Sequence, residues 1–286
     1  MVARIHVVTD SGSDLPVELR ERLGIHVVPL TVQFGDEIFK DGVDITAAEF
    51  YARLQQETRM PSTCQPSPAD FVEVYERIAQ PGDTILSIHL SSKMSGTYQS
   101  AVLAGSMIDP QIKVEAVDSK SASLGIGVTA LIAAQGVQAG KGVAEILQDV
   151  QSVIDSLQVY FVVDTLEYLQ RNGRIGLASA FVGTLLSIKP VLTLVDGQVA
   201  PFEKIRGKAK ALKRLRELGA EFRERHPDKR LRAAVSHADN HGEAAALAAM
   251  LPDILDLDTE VVVGEIGPTI GVHAGPGTVA VFLYSV

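Results

Sequence analysis

Tryptophan is absent from the 286 residues, aromatics make up only 5%, and there is one cysteine, Cys64. The core must therefore be aliphatic. A single thiol can form neither an internal disulfide nor a cysteine-rich zinc site. Positive charge is also short, since 26 Lys and Arg face 35 Asp and Glu and leave a formal net charge of -9. Nucleic-acid binders usually show the opposite balance, so no nucleic-acid partner is expected. Long apolar runs are missing as well. The longest uncharged window, Ser121–Gly140, holds Gly, Ser, Thr and Gln throughout and reads as a buried helix with its approach. A second apolar window, Ile175–Ile188, is too short to span a bilayer, so no stable membrane insertion is expected. No basic stretch leading into an apolar one opens the chain, so no secretory signal is expected and the expected location is cytoplasmic. Repeats and low-complexity linkers are absent.

What is present is a globular mixture, 46% hydrophobic and 21% charged, with enough apolar material for a real core. The first third alternates strand and helix. Ile5–Thr9 reads as a strand and Pro16–Leu23 as a helix stopped by Gly24. Ile25–Phe34 is a second strand region, interrupted at Pro29. Thr46 with Glu49 forms a capping box. Ser67 repeats the device, with Pro68 at the first helical position and Asp70 at the third. Ile85–His89 and Lys113–Val117 are further strands flanking a helix near Thr97–Ser106. This order predicts an α/β layer with a mainly parallel, Rossmann-like sheet. The later part predicts a mixed sheet with helices. Strands Val191–Val195 and Gln198–Phe202 flank an Asp196-Gly197 hairpin signal. Gln158–Val163, Arg232–Ser236, Glu260–Glu265 and Thr278–Tyr284 are further strands. Leu166–Asn172, Ile175–Ile188, Lys208–Arg225 and Gly242–Leu251 read as helices. Two domains are expected, 1–155 and 156–286.

Five segments could carry chemistry. Leu90–Ser100 (LSSKMSGTYQS) joins a strand to a helix, which is where α/β sheets bind ligands. Ser95 stands where the helix is expected to start, so it either caps that helix or, with the nearby backbone N–H groups, faces an anion. Pro61–Ser67 (PSTCQPS) is a proline-stiffened, hydroxyl-rich loop that could hold a hydroxyl in place or simply connect. Gly267–Gly277 (GPTIGVHAGPG) surrounds His273 with glycine and proline, a setting for close backbone approach. In Asp164–Ile175, Gly173 reads as a helix stop and Arg174 follows it, positioned for an anion or for a neighbouring carboxylate. A basic run (Lys204, Arg206, Lys208, Lys210, Lys213, Arg214, Arg216) is either a solvated helix face or a dock for an acidic or phosphate-bearing partner.

Other motifs fail. Gly125–Ala130 fits a dinucleotide pattern loosely but does not directly follow a strand. Gly136–Gly142 lacks the P-loop spacing. His237 and His241 lack a further ligand, so no metal is expected. Ser95 lacks the glycine two residues before it that a hydrolase elbow requires.

Taken together, these segments resemble the DegV family of bacterial lipid-binding proteins. The resemblance is carried by Thr9–Pro16 (TDSGSDLP), Thr63–Ser67, Ser91–Ser100, Asp118-Ser119, Asp164–Ile175, Lys189–Leu192 (KPVL) and Gly267–Gly277. It implies a two-domain α/β protein holding one long-chain fatty acid, its carboxylate at the domain interface and its acyl chain in the C-terminal domain. It also implies no cofactor beyond that lipid. Some members are the lipid-binding subunit of a bacterial fatty acid kinase and present the carboxylate to a separate ATP-binding subunit, which makes acyl phosphate. Matched by motif, Thr63 and Ser95, with Gly96 beside them, would hold the carboxylate. His273 would support it, and Arg174 and Arg206 match basic positions near the head group or the kinase-facing surface. Cys64, Asn172 and Met94 depart from residues usual in the family (Ser, Gly and Leu) without removing a proposed hydrogen-bonding group.

A fatty acid needs a dry slot and one polar clamp. Burying an acyl chain yields about 0.8 kcal/mol per methylene, so about fourteen methylenes give on the order of 11 kcal/mol before association costs. An unpartnered buried carboxylate would oppose this strongly. The Ile175–Ile188 helix is expected to supply the slot, with Gly176, Ala178, Ala180 and Gly183 leaving room and Phe181, Leu185 and Leu186 lining it. The chain is accordingly expected to present a substrate and not to catalyse. The alternative is a stand-alone enzyme, either a Ser95-centred hydrolase or a small-molecule phosphotransferase.

Overall fold

The computed structural model describes residues 3–181 and 188–286. The chain opens with β1 (Ile5–Asp10), α1 (Val17–Leu23) and β2 (Ile25–Val28). Gly24 stops α1 in the left-handed conformation at φ 66°, its N–H returning to the Arg20 and Glu21 carbonyls, the usual glycine exit. The Ile25–Phe34 region is two strands, not one. Its second part, β3 (Thr31–Phe34), leaves the first sheet and pairs antiparallel with β4 (Glu37–Lys40) and β5 (Ser62–Cys64). Pro29, between them, cannot donate to a ladder. Between β4 and β5 lies α2 (Ala47–Leu54), opened by the Thr46/Glu49 capping box.

After β5 come α3 (Pro68–Ile78), β6 (Thr84–His89), α4 (Thr97–Gly105), β7 (Lys113–Asp118), α5 (Leu124–Gln138) and α6 (Val143–Ser156). Strands β2-β1-β6-β7, in that order, form an all-parallel sheet. Parallel sheets are covered on both faces. Here α3 and α4 cover one face, meeting Val8, Val28 and Ile85. Helix α5 covers the other, meeting Val7, Leu86 and Ile88.

The second half runs β8 (Gln158–Val162), α7 (Glu167–Arg171), β9 (Ile188–Val195), β10 (Gln198–Arg206), α8 (Lys208–Arg225), β11 (Leu231–His237), α9 (His241–Leu255), β12 (Val262–Glu265), α10 (Pro268–Ala274) and β13 (Val279–Ser285). Its mixed sheet has the order β10-β9-β8-β13-β11-β12. Strand β13 shows the period-two alternation that lets one strand serve two cores. Val279, Val281 and Leu283 face α8 and α9, while Ala280, Phe282 and Tyr284 face the α5/α6 side. The molecule is thus layered: α3/α4, parallel sheet, α5/α6, mixed sheet, α8/α9. The residues expected to divide the domains fall where α6 gives way to β8, and one hydrophobic cluster runs across that point.

In its described part, the expected helix Ile175–Ile188 does not form as an α-helix. Gly176–Phe181 is a 3₁₀ segment. Gly176 takes φ 51°, and a Cβ there would strike the Val199 carbonyl of β10. Close backbone approach at that glycine thus replaces a regular helix start. Residue 188 already belongs to β9, because the hairpin ladder extends as far as the Ile188–Arg206 pair. Gly183, Leu185 and Leu186 lie outside the described residues. In the other direction, the glycine- and proline-rich Gly267–Gly277 segment contains a short helix, α10, with Gly267 before it and Pro268 at its first position, the favoured placement of proline.

Candidate functional site

A cavity of about 320 Å³ lies between the mixed sheet on one side and β5, α10 and the loop after β6 on the other, within the range of about 300–1,000 Å³ common for small-molecule sites. Its apolar wall comes from the mixed sheet. Ala280 and Phe161 are cross-strand partners, and Phe282, Val159, Leu194 and Val199 form the neighbouring row across β13, β8, β9 and β10. Leu30, Leu90, Met94, Leu169 and Ile270 complete it. Of the residues expected to line a slot, Ala178 and Phe181 belong to the central cluster, but the cavity wall is the sheet face.

One end of the cavity is polar and partly open. Thr63, on β5, pairs its Oγ1 with His273 Nε2 at 2.9 Å. These residues are 210 positions apart in the chain, and α10 and β5 bring them together. Burial, with the Arg174 guanidinium adding to it, pulls the His273 imidazole down to about 4. Its Nδ1 is buried without a partner. Ser95 precedes α4 and does not itself form the cap. The helix begins at Thr97 with Gly96 as the capping residue. Ser95 Oγ accepts the Thr97 N–H at 3.3 Å and pairs with Thr97 Oγ1 at 2.9 Å. Arg174 reaches over this loop, donating from Nε to the Met94 carbonyl at 3.3 Å and from Nη1 to the Asn172 carbonyl at 2.9 Å.

The structure therefore gathers Thr63, Ser95, Arg174 and His273 around one opening. Gly96 sits beside it, but its N–H donates to Gln65 Oε1 at 3.0 Å. With the Thr97 N–H also taken, these two helix-start amides are engaged within the protein. Arg206 ends β10, is exposed, and is not part of the cavity wall. Cys64 is an exposed free thiol on the cavity rim.

Several contributors escaped the sequence reading. Gln65 holds Gly96 and lines the cavity. Asn172 donates from Nδ2 to the Val272 carbonyl at 3.0 Å, tying the Arg174 segment to α10 next to His273. Two buried carboxyls hold the other end of α10. Asp14 Oδ1 accepts the Gly267 N–H at 2.9 Å, and Asp41 Oδ2 accepts the Thr269 N–H at 3.1 Å. Burial pushes Asp14 well above the usual carboxylate range and Asp41 up to about 6. No local pattern signals either role, because both contacts are long-range.

A buried Ser–His–Asp connectivity also exists, but elsewhere. Asp10 Oδ2 accepts from His89 Nδ1 at 3.0 Å and from the Leu90 N–H at 2.9 Å, and Oδ1 accepts the Gly12 N–H at 3.0 Å. With its proton on Nδ1, His89 accepts the Ser87 hydroxyl at 2.6 Å, and Ser87 Oγ in turn accepts Tyr75 OH at 2.7 Å. Ser87, His89 and Asp10 are fully buried, and none is part of the cavity wall. This network sets the start of the Ser91–Gly96 loop. His237 and His241 meet edge to face at 5.7 Å. Among the described residues no group of three or more His, Cys, Asp or Glu is placed to hold a metal ion. Among the same residues no helix is long and apolar enough to cross a membrane.

A family model described as "Uncharacterised protein, DegV family" matches residues 4–286. The chain belongs to the DegV family. It is similar to a fatty-acid-binding DegV family protein from Thermus thermophilus, with 39% identity, TM-score 0.91, and coverage of 99% of this chain and 100% of that one. It is similar to DegV of Bacillus subtilis, described as a fatty acid binding protein, with 36% identity, TM-score 0.90 and full coverage of both chains. A stearic-acid-binding protein from Eubacterium ventriosum matches at 26% identity and TM-score 0.90, with 98% of each chain covered. The DegV fold is therefore the fold of this chain, with its parallel four-stranded and mixed six-stranded sheets.

Proposed function

We propose that this DegV protein binds one long-chain fatty acid, carboxylate at the Thr63/Ser95/His273/Arg174 opening and acyl chain along the mixed-sheet face. The observation that carries this reading is the joining of a polar cluster to one end of a cavity walled by Phe161, Phe282, Val159, Leu194 and Val199. The fatty-acid binding described for its structural neighbours supports it. Two hydroxyls, the Arg174 cation and the unpartnered His273 Nδ1 offset the desolvation of a carboxylate, and charge-assisted hydrogen bonds are the stronger kind. The neutral ring has one N–H: with it on Nδ1, His273 donates to the head group directly or through one water and Thr63 gives its proton to Nε2, whereas with it on Nε2 the Thr63 hydroxyl is the group that donates to the carboxylate.

The protein then acts as a presenter. A carboxylate held at the open end of its slot is accessible to a phosphoryl donor on a separate ATP-dependent fatty acid kinase subunit. The exposed Arg206 and its basic neighbours on α8 are the surface we assign to docking that subunit, and residues 1–155 and 156–286 the two domains that meet at the head group. The Ser95-centred hydrolase is less well supported. Ser95 Oγ is paired with Thr97, and the nearby imidazole of His273 is engaged by Thr63.

Native mass spectrometry of freshly purified protein, followed by lipid extraction, tests the binding class. An added mass matching a long-chain fatty acid is expected. Thr63→Ala and Ser95→Ala should each weaken retention roughly 3- to 10-fold, the worth of one hydrogen bond. Full retention in the double variant would refute the clamp, and ATP turnover by the isolated chain would refute the presenting role.

A further inference from the structure

The cavity wall holds a second polar group, fully buried, that a plain hydrocarbon chain leaves unmatched. Ser123, Ser236 and Thr269 all line the cavity and are 4%, 0% and 2% exposed. They come from three separate elements, the start of α5, the end of β11 and α10. Ser123 donates its hydroxyl to Ser236 Oγ at 3.1 Å, so Ser236 still has its own proton to give. Thr269 Oγ1, beside the Asp41 carboxyl, and Asp14 Oδ2, beside Ser123, are buried with no hydrogen-bond partner at ordinary distance and angle, and a Thr269 hydroxyl turned towards Asp41 still has its oxygen free to accept. Buried hydroxyls are normally satisfied, and these face the volume assigned to the acyl chain.

We propose that this inner cluster is a recognition point for an oxygen substituent on the acyl chain, so that the preferred ligand class is a hydroxylated long-chain fatty acid. A hydroxyl suits the site better than a carbonyl, because it both accepts and donates. It can accept the free Ser236 proton and donate to Thr269 Oγ1. The carboxylate end fixes the chain's starting point, so only a hydroxyl at one stretch of the chain reaches the cluster. The inference rests on the fatty-acid reading above and adds positional selectivity to it.

The test is competition binding on delipidated protein, displacing a fluorescent fatty acid with stearic acid and with monohydroxylated stearic acids substituted at successive positions. One isomer, or a short run of adjacent ones, is expected to bind about tenfold tighter than stearic acid, the worth of satisfying one buried group. Thr269→Val and Ser236→Ala should each bring the ratio of hydroxylated to plain ligand towards one. Stearic acid binding in each variant reports that the cavity has formed. If every isomer binds no better than stearic acid, for instance because water serves these hydroxyls, the proposal is overturned. A preference that survives both substitutions overturns the assignment to this cluster. If stearic acid itself fails to bind, the fatty-acid reading falls, and this proposal falls with it.

Discussion

Replacing His273 with Gln offers a quantitative probe of the head-group end. The ring is pulled from its ordinary 6.5 to about 4, chiefly by burial and then by Arg174. Between these two values the unfolded chain takes up a proton that the folded protein refuses. The stability contributed by the neutral ring is thus fully present above about 6.5 and is lost as the pH falls towards about 4. At about 1.4 kcal/mol per tenfold step in proton affinity, the loss approaches about 3 kcal/mol. Gln places an amide nitrogen near Nε2, keeps a partner for Thr63 Oγ1, and cannot titrate. Asp41 acts in the opposite direction over nearly the same range. Burial raises its carboxyl from 3.8 to about 6, so its contribution is greatest below about 3.8 and is lost as the pH rises through about 6. The whole-protein pH profile therefore hides both groups, and only a difference curve separates them. Urea unfolding of delipidated wild type and His273→Gln at a series of pH values between 7 and 4 is the assay. Their stability difference should shift in favour of the variant by up to about 3 kcal/mol on acidification. In lipid-loaded protein the shift should shrink, since a carboxylate beside the ring raises its proton affinity. Parallel curves across the range would show that the ring is not held neutral by its site, and the reasoning would fail.

Asp41→Asn should remove the opposing contribution, so that the variant loses more stability than wild type on going from pH 6 to about 4. The same unfolding series reads it. Asp10→Ala strips the acceptor from His89 Nδ1 and from the Leu90 and Gly12 N–H groups. Removing one partner of such a buried cluster should cost about 3–5 kcal/mol, visible as a large drop in the urea midpoint. A loss under 1 kcal/mol would mean that water replaces the carboxylate. Gly264→Ala places a methyl 2.5 Å from the Asp14 carbonyl and 3.2 Å from Leu124 Cδ1. The backbone cannot yield cheaply, so a destabilisation of roughly 1–3 kcal/mol is expected, with weakened lipid retention because Asp14 anchors α10.

Local devices were legible in the sequence. The Thr46/Glu49 and Ser67/Asp70 boxes, the Gly24 stop and the Asp196-Gly197 turn each act within a few residues, and each forms as read. The long Ser121–Gly140 window became the buried α5. What failed was decided at a distance. Ile175–Ile188 has the composition of an apolar helix, yet Gly176 is fixed by the Val199 carbonyl, more than twenty positions along the chain. Strands β4 and β5 are short and carry little periodicity, so only their pairing with β3 reveals them. Thr63, Ser95, Arg174 and His273 could be nominated because each sits in a glycine-, proline- or hydroxyl-rich segment. Ser236 could not, since it looks like any polar position inside a strand, and the cavity that gives it meaning is made by elements far from it in the chain.

The position of the cavity follows from topology. In the parallel sheet, β1 is flanked by β2 on one side and β6 on the other, so the chain reverses its winding between β1 and β6. In open α/β sheets the crevice beyond the carboxyl ends at such a reversal is where ligands bind. Asp10 and His89 end these two strands and are joined by a hydrogen bond. The fold therefore closes the crevice with a buried pair and projects the binding loop outward from it. Leu90 lines the cavity, and its N–H is fixed by Asp10. Ser91 then donates to the Gly197 carbonyl at 2.7 Å, at the turn between β9 and β10. One loop is anchored at its root by the parallel sheet and at its side by the mixed sheet. Any ligand seated between Ser95 and His273 spans the same junction, so its binding and the docking of the two sheets are thermodynamically linked. Bound lipid should then protect the Leu90 and Gly96 amides from hydrogen exchange more than the amides of α9, which packs on the far face of the mixed sheet. Uniform protection would instead mean that the loop is held by the protein alone.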